Sequence, residues 1–225
     1  MEDAERELNC TVRKDPGCGT CGLGKYLNCR WDKRILNGFL AAASGLFIGT
    51  FIILALIWLY TAHYWPLVLY IILLFTLFGY EIKFLCSHCP FYAGEGRTLK
   101  CLANNGMPKI FRYNPAPMTG PEKFMVRFLI AVFLVIYPAV ASAAALWLTI
   151  SGNHGIITLT AIAGVVILLA CAIIAFYQVL RTFFCRMCVN FSCPFNTVEK
   201  RIVDEYLMNN DIMREAWEKS GYKLG

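Results

Sequence analysis

The sequence predicts an all-α integral membrane protein: a four-transmembrane-helix bundle of two tandem hairpins, with cytoplasmic cysteine-rich metal-binding segments. Three observations support this fold class. The 225 residues are 58% hydrophobic and only 16% charged, unlike an average soluble domain. Two long stretches contain no charged side chain. Ten of the eleven cysteines lie outside those stretches, several of them in short clusters.

The two charge-free stretches, 35–80 and 128–180, predict four membrane-spanning helices. Each stretch is too long for a single span, because about 20 apolar residues cross a bilayer. Each also contains a polar turn, TAHYWP in the first and SGNHG in the second. Division at these turns gives the predicted spans 36–60, 65–84, 125–150 and 156–180. Pro138 lies inside the third span and predicts a kink there unless neighbouring helices compensate.

The charges predict the orientation of the chain. All 21 Lys and Arg residues fall in three segments, 1–34, 81–127 and 181–225, with seven in each. Because basic loops stay on the cytoplasmic side, we expect both termini and the middle loop to be cytoplasmic in a multi-pass protein of the cell (inner) membrane. All 15 acidic residues lie in the same segments, interleaved with the basic ones. This favours contact with the lipid bilayer and anionic headgroups over nucleic-acid binding.

Cytoplasmic segments and membrane hairpins alternate along the chain. The predicted order is a Cys-rich arm (1–34), hairpin 1 (35–84), a Cys/Pro loop (85–124), hairpin 2 (125–180), and a Cys motif with an amphipathic helical tail (181–225). The second half repeats the plan of the first, and Cys86 and Cys185, which open the matching C-x-x-C pairs, are 99 residues apart. We therefore expect approximate two-fold symmetry about the membrane normal, which brings the two pairs together.

The tail predicts two short amphipathic helices. Asn196 with Glu199 fits a capping box, and Asn210 or Asp211 fits a second helix cap. One apolar face gathers Ile202, Val203, Tyr206 and Leu207. Three surfaces are open to this face: the cysteine region, the lipid headgroups and another subunit.

The cysteines indicate metal binding. Cys171 lies within a span, where a small apolar role is expected. The other ten are predicted to be cytoplasmic, in a reducing compartment that disfavours structural disulfides. Three C-x-x-C pairs, 18/21, 86/89 and 185/188, point to metal or redox chemistry. The predicted metal ligands are Cys10, Cys18, Cys21, Cys29, Cys86, Cys89, Cys101, Cys185, Cys188 and Cys193.

Two metals suit these ligands. Zinc takes four thiolate or imidazole ligands, and ten cysteines with His88 in reserve supply two such sites. Iron–sulfur clusters also take four cysteines, and their motifs often place proline after cysteine, as Cys89-Pro90 and Cys193-Pro194 do here. We favour iron–sulfur, of the 4Fe–4S type, over zinc, because a cluster beside a membrane bundle can exchange electrons with a quinone.

The sequence leaves two groupings of the ligands open. In the first, Cys86, Cys89 and Cys101 join one arm cysteine, and 185, 188 and 193 join another. In the second, the four arm cysteines form one site, and the two C-x-x-C pairs form the other across the pseudo-two-fold axis.

The architecture resembles membrane subunits of respiratory systems that carry four spans, Cys-Pro motifs and cytoplasmic iron–sulfur clusters. Their C-x-x-x-C-P motif and full ferredoxin runs are absent here, so only the general plan carries over. Protein acyltransferases with an Asp-His-His-Cys motif share the four spans, but Ser87-His88-Cys89 lacks the acid. Quinone-linked disulfide-forming proteins carry C-x-x-C on the external side, whereas these pairs are predicted to be cytoplasmic.

We therefore expect a membrane-anchor electron-transfer subunit of an oxidoreductase complex, linking a soluble cytoplasmic redox subunit to the quinone pool. The alternative is a zinc-stabilised, non-catalytic membrane scaffold, and a cytoplasmic-face thiol redox protein ranks third. Transport is disfavoured because the span centres carry no acid or base. His63 and His154, in the two predicted turns, are candidates for haem, metal or proton transfer, and more simply for polar turn residues.

Overall fold

The computed structural model describes residues 9–13 and 21–225, and this part of the chain is helical with no named strand. The described helices are α1 (Lys33–Thr61), α2 (Trp65–Tyr80), α3 (Gly120–Ala131), α4 (Tyr137–Ser151), α5 (Ile156–Val179), α6 (Lys200–Met208) and α7 (Asp211–Lys219). Three π-helical segments extend them: π1 (Glu81–Cys86), π2 (Val132–Ile136) and π3 (Leu180–Phe184). Cys18, one of the predicted ligands, lies outside the described residues.

Four continuous helical stretches are long and apolar enough to cross a membrane. They run over Lys33–Thr61, Trp65–Cys86, Gly120–Ser151 and Ile156–Phe184. This confirms the prediction of four spans in a multi-pass membrane protein. All four observed stretches are longer than predicted at the end next to a charged segment. In three of them the added helix includes charged residues, which hydropathy alone does not assign to a span.

The second and fourth spans end in the same way. π1 and π3 begin 99 residues apart, which is also the spacing of the two C-x-x-C pairs. Each closes with a bond to the carbonyl five residues earlier: Ser87 N–H donates to Ile82 (3.1 Å), and Cys185 N–H donates to Leu180 (2.7 Å). A π turn adds one residue to the helical turn and is common at functional sites. In both halves of the chain, therefore, a π-helical turn leads into the cysteine pair, which agrees with the repeat.

The proline in the third span follows the remaining π segment. Pro138 occupies the start of α4, immediately after π2. Proline lacks an N–H and its ring clashes with the carbonyl four residues earlier, so an α-helical hydrogen bond is lost there. The widened π turn is the local adjustment that accommodates this loss, as transmembrane helices commonly do.

The chain divides into two compact units that cut across its linear order. The first contains the described residues up to Phe39 together with Tyr80–Val126 and Leu180–Gly225. The second contains Leu40–Gly79 and Arg127–Val179. The arm, the Cys/Pro loop and the tail, which are far apart in sequence, thus belong to one unit.

The core of the second unit draws on all four spans. Tyr70 stacks on Phe133 with ring centroids 4.8 Å apart, and Phe51 meets Tyr70 edge to face at 5.5 Å. The buried core comprises Ile53, Leu54, Ile57, Tyr70, Leu77, Phe133, Ala141, Ala145, Ile162 and Leu169. Large apolar side chains on the outside remain uncovered, such as Leu59 (76% exposed) and Ile157 (82%). An apolar exterior around an apolar core is what a lipid environment requires.

The core of the first unit is built around the tail. The predicted apolar face is buried, with Tyr206 and Leu207 fully inaccessible to solvent. It packs with Leu23, Phe91, Leu99 and other residues of the cysteine-bearing segments. Of the three surfaces considered as partners for this face, it packs against the cysteine region.

The predicted helix caps are wrong in their side-chain contacts. α6 begins at Lys200 without a side-chain cap, so there is no capping box. Asn196 instead donates to the carbonyls of Cys188 (2.8 Å) and Asn190 (3.0 Å). Asn210 holds the N-cap position of α7, but its side chain makes no cap hydrogen bond. Asn196 Oδ1 accepts locally from the Val198 N–H (2.9 Å). Both asparagines also bind backbone outside their own helix, which local cap rules do not consider.

The first and fourth spans approach closely at two glycines. A Cβ atom on Gly49 would lie 3.0 Å from Leu169 Cδ1, and one on Gly45 would lie 3.6 Å from Ala172 Cβ. The spacing of these glycines, small-x-x-x-small, is a common packing motif between membrane helices, because it lets helices touch without a side chain between them.

We predict that Gly49→Leu destabilises the protein by about 1–3 kcal/mol, because the added side chain overpacks this contact. Thermal unfolding in detergent measures the loss. The matched control is Gly164→Leu in α5, where an added Cβ meets no atom within 4 Å. Equal losses in the two variants would refute close packing at Gly49.

Candidate metal centre

The two C-x-x-C motifs lie together in the first unit. Asn190 Nδ2, from the segment after CRMC, donates to the carbonyl of Leu85 (2.8 Å), immediately before CSHC. The Asn190 side chain is buried, and Asn196 braces the same loop through two further hydrogen bonds. A segment 105 residues away in sequence is thus fixed beside the first motif, as the pseudo-symmetry predicts.

Six thiols gather at this junction. Cys89 lies within electrostatic range of Cys101 and Cys188. Cys193 interacts in the same way with Cys185 and Cys188, and Cys86 interacts with Cys101 and Cys193. We call this set the thiol group: Cys86, Cys89, Cys101, Cys185, Cys188 and Cys193.

Burial keeps these thiols neutral in the absence of a positive charge. It raises the pKa of Cys101 and of Cys185 to about 11, with a further rise from nearby Cys188. Burial also raises the pKa of Cys89, Cys188 and Cys193. A thiolate here would be costly unless a cation compensated it, so metal binding at this site must displace protons.

The thiols are neighbours but do not form a finished coordination sphere. Within the described ranges, no group of three or more His, Cys, Asp and Glu side chains is arranged to hold a metal ion as it stands. The donor set itself, six sulfurs from two buried and four half-buried cysteines, suits thiophilic metals and iron–sulfur clusters. Coordination would require deprotonation together with rotation of the short cysteine side chains.

Hydrogen-bond donors already surround the sulfurs. The backbone N–H of Asn190 donates to Cys188 Sγ (3.4 Å), and that of Phe195 donates to Cys193 Sγ (3.5 Å). Such bonds stabilise sulfur-bound negative charge and tune the potential of bound clusters.

One side-chain amide joins a sulfur to a carboxylate. Asn104 Nδ2 donates to both Cys86 Sγ (3.4 Å) and Glu81 Oε2 (3.1 Å). Their spacing identifies the cysteines in the sequence, but no pattern there identifies the asparagines that hydrogen-bond around them. The only trace in the sequence is proximity, since Asn104, Asn190 and Asn196 each follow a cysteine by two or three residues.

The arm cysteines contact the tail. Cys10 N–H donates to Asn210 Oδ1 (2.9 Å), and Asn210 Nδ2 donates to Cys10 Sγ (3.2 Å). Cys10 and Cys29 both lie within electrostatic range of Tyr206, whereas Cys21 is exposed. The structure thus places the two C-x-x-C pairs near each other, with Cys101 and Cys193 beside them.

The three histidines have local partners. His88 is buried, and its Nδ1–H donates to the carbonyl of Ala116 (2.5 Å). His63 Nδ1–H donates to the carbonyl of Thr61 (2.5 Å), and His154 stacks on Tyr60 with centroids 4.4 Å apart. These contacts match the plain polar role expected of the two turn histidines.

The second unit contains an apolar groove of about 600 Å³. Its lining is mostly aliphatic and aromatic, including Trp65 and Trp147, and it holds no charged side chain. Its polar members, Thr61, His63 and Tyr137, hydrogen-bond to nearby backbone carbonyls. The groove therefore offers an apolar surface without reactive groups.

No protein-family model, curated protein or solved structure matches this chain. The chemistry of the residues themselves is therefore the basis for a proposed function. The thiol group is the feature that provides such chemistry.

We predict that Asn210→Ala releases the arm from the tail. Asn210 is fully buried, so its loss leaves the Cys10 N–H without this acceptor, at a cost of about 1–3 kcal/mol. Limited proteolysis and maleimide labelling of Cys10 should both accelerate. Asn209→Ala, at the exposed neighbouring position, is the matched control and should leave both rates unchanged. An unaltered rate of Cys10 labelling in Asn210→Ala would show that Asn210 does not hold the arm to the tail.

Proposed function

We propose that the protein is a membrane-anchored electron-transfer subunit whose cysteines bind iron–sulfur clusters of the 4Fe–4S type on the cytoplasmic face. It would link a soluble redox subunit to the quinone pool within an oxidoreductase complex. The observation that carries this proposal is the thiol group. Six buried or half-buried cysteines from three separate parts of the chain are neighbours, and a reducing compartment would give them no use as structural disulfides.

The surroundings of the sulfurs support a cluster. Soft thiolate ligands select iron–sulfur clusters, zinc or copper(I) over harder ions. A bound cluster would supply reversible one-electron transfer. The chain's own contribution is burial and N–H···S bonding, both of which shift the potential of such a centre. At the thiol group these donors come from Asn104, Asn190 and Phe195, among others.

The proposed partners follow from the setting. Lipid-soluble quinone is available to a protein whose spans lie in the bilayer. A soluble redox subunit would meet the polar parts of the first unit. There the tail helices turn their apolar faces inward and keep Arg201 and Glu205 outside. In the Pro-rich loop, Ile110 (66% exposed) and Phe111 (40%) lie uncovered beside Arg112, which suits a partner with a mixed apolar and acidic surface.

A zinc-stabilised scaffold is the second candidate, and one observation favours it. Cys86 and Cys101 are part of the hydrophobic core of the first unit, where a closed tetrahedral ion would act as a structural cross-link. Zinc would hold the fold together without any electron transfer. The two candidates therefore differ in colour, sulfide content and redox response.

Metal analysis of protein purified without oxygen tests the proposal. We expect a brown preparation with iron and acid-labile sulfide, whose visible absorption bleaches on reduction. Cys188→Ser should lose that absorption, whereas Cys171→Ser, which alters the exposed cysteine of the fourth span, should retain it. Colourless protein with stoichiometric zinc would instead establish the scaffold. Metal-free protein with reversible disulfides would establish thiol redox chemistry.

Reporter fusions test the proposed orientation. We expect green fluorescent protein fused after Gly225 to fluoresce in a bacterial host, because basic segments remain in the cytoplasm. Alkaline phosphatase should be inactive at that position and active when inserted at Asn153, in the turn between the third and fourth spans. The reverse pattern would place the cysteines outside and remove the basis for cytoplasmic electron transfer.

A further inference from the structure

We infer that the soluble redox partner docks on one segment of the first unit, residues 97–112, and that this segment suits an acidic electron-transfer protein. We call it the basic hairpin. The inference rests on the proposed function in one respect, namely that electrons pass between the thiol group and a soluble protein. It narrows the polar surface of the first unit to a single docking site and excludes the exposed face of the tail helices.

Backbone hydrogen bonds fold the basic hairpin back on itself. Lys109 N–H donates to the carbonyl of Arg97 (2.8 Å), and Leu99 N–H donates to the carbonyl of Met107 (2.8 Å). Gly106 N–H donates to the Leu99 carbonyl (2.8 Å) and closes the turn. The backbone of this surface is therefore fixed before a partner arrives, which lowers the entropy cost of binding.

The charge of the basic hairpin is unbalanced. It contains four basic residues and no acidic one. Lys109 is half-buried and donates to the carbonyl of Gly94 (2.5 Å), so it serves the fold. Arg97, Lys100 and Arg112 are exposed, and no ion pair within the described ranges involves them. These three cations are available to the carboxylates of a partner.

The cations of the tail helices, in contrast, are already paired. Every Lys and Arg of α6 and α7 has a carboxylate of its own helix within 4.0 Å. Unbalanced charge is what steers a charged protein to its docking site and raises the rate of association. The tail therefore offers little attraction to an acidic protein, whereas the basic hairpin offers a concentrated one. The tail pairs are Lys200–Asp204, Arg201–Glu205, Arg214–Asp211 and Lys219–Glu215.

The basic hairpin also carries a member of the thiol group. Leu99 and Cys101 are buried, whereas Lys100 between them is exposed. Consecutive Cα atoms are about 3.8 Å apart, so a protein bound at Lys100 lies one residue away from Cys101. At the turn, Asn104 donates to Cys86 Sγ (3.4 Å). The same segment thus exposes positive charge and contacts the sulfurs, which favours a redox protein over a lipid headgroup as its partner.

Apolar side chains accompany the exposed cations. Ile110 and Phe111 are uncovered, although the main chain at Phe111 is held, because its N–H donates to Tyr92 Oη (3.0 Å). Lys83 Nζ lies 6.0 Å from the centroid of the Phe111 ring and adds a further positive charge. Apolar contacts with a polar, charged rim are typical of protein–protein interfaces, and weak electron-transfer complexes use small ones.

Charge reversal tests this docking site in the full-length protein, held in nanodiscs of phosphatidylcholine. The probe is a dye-labelled acidic ferredoxin, and its binding is measured by fluorescence anisotropy at low salt. We expect the triple variant Arg97→Glu/Lys100→Glu/Arg112→Glu to weaken binding about tenfold or more, because attraction becomes repulsion. The difference from the wild type should shrink at high salt, where surface charges are screened.

The matched control places the same change of net charge on the tail, in Arg201→Glu/Lys219→Glu/Lys223→Glu. It should weaken binding by less than about twofold, because exposed ion pairs contribute little and the docking site is intact. Equal losses in the two triple variants, or a wild type that does not bind the ferredoxin, would overturn the inference. Spin-labelled phosphatidylglycerol that loses contact only in the hairpin variant would identify a lipid site instead and would also overturn it.

Cross-linking of the wild type covers a variant that does not fold. A carbodiimide joins lysine amines to carboxylates of the bound ferredoxin, and mass spectrometry locates the products. We expect most of them at Lys100, whereas products mainly at Lys200, Lys219 or Lys223 would overturn the inference. Neither readout requires a metal in this protein. Ferredoxin that docks at the basic hairpin without exchanging electrons would therefore defeat the proposed function alone, and electron exchange with docking elsewhere would defeat this inference alone.

Discussion

A hydrogen bond from the Asn190 side chain to the Leu85 carbonyl is the contact on which the arrangement of the first unit depends. It joins the end of the second span to the segment that follows the fourth span, and no short loop connects the two. Without such a brace, burying two sets of thiols side by side would leave polar backbone unpaired in the same place. The asparagine satisfies the backbone and fixes the spacing at the same time. Its own burial makes the brace specific, because misplacement would cost the Nδ2 donor its acceptor as well, and the buried Oδ1 already has no hydrogen-bond partner among the described residues.

The membrane accounts for where this junction can form. Between 35 and 80 and between 128 and 180 the chain has no charge, so polar chemistry is confined to the remaining segments. These belong to one compact unit, in which arm, loop and tail share a core. π1 and π3 lie in sequence between the charge-free stretches and the charged, cysteine-bearing segments. Each lets a span end with a widened turn and places a C-x-x-C pair at its end.

Much of this architecture could be predicted from the sequence, because hydropathy and charge are properties of each segment of the chain. The spans, their turns and the apolar face of the tail follow from periodicity and composition. The π segments could not be predicted, since a π turn differs from an α turn by one residue and has no compositional signature. Asn210 holds the predicted N-cap position, but the predicted side-chain cap bonds are absent for a related reason: Asn196 and Asn210 bond to the cysteine segments. Pairing with residues up to 200 positions away is a property of the fold, not of the local sequence.

The cysteines also show what local sequence patterns leave undetermined. C-x-x-C spacing marks both sulfurs of a pair as equal candidates, because spacing describes how far two side chains can reach. It says nothing about the N–H donors around each sulfur, which are set by the backbone after the cysteine. The first cysteine of each pair ends or follows a helix, whose N–H groups are already engaged, as that of Met187 is with Phe184. Cys188 is followed by a turn in which the Asn190 N–H donates to its sulfur (3.4 Å). The two thiols of this pair are therefore chemically distinct. Cys193 has the same turn, with the Phe195 N–H as donor (3.5 Å), and it resembles Cys188 more closely than Cys185 does.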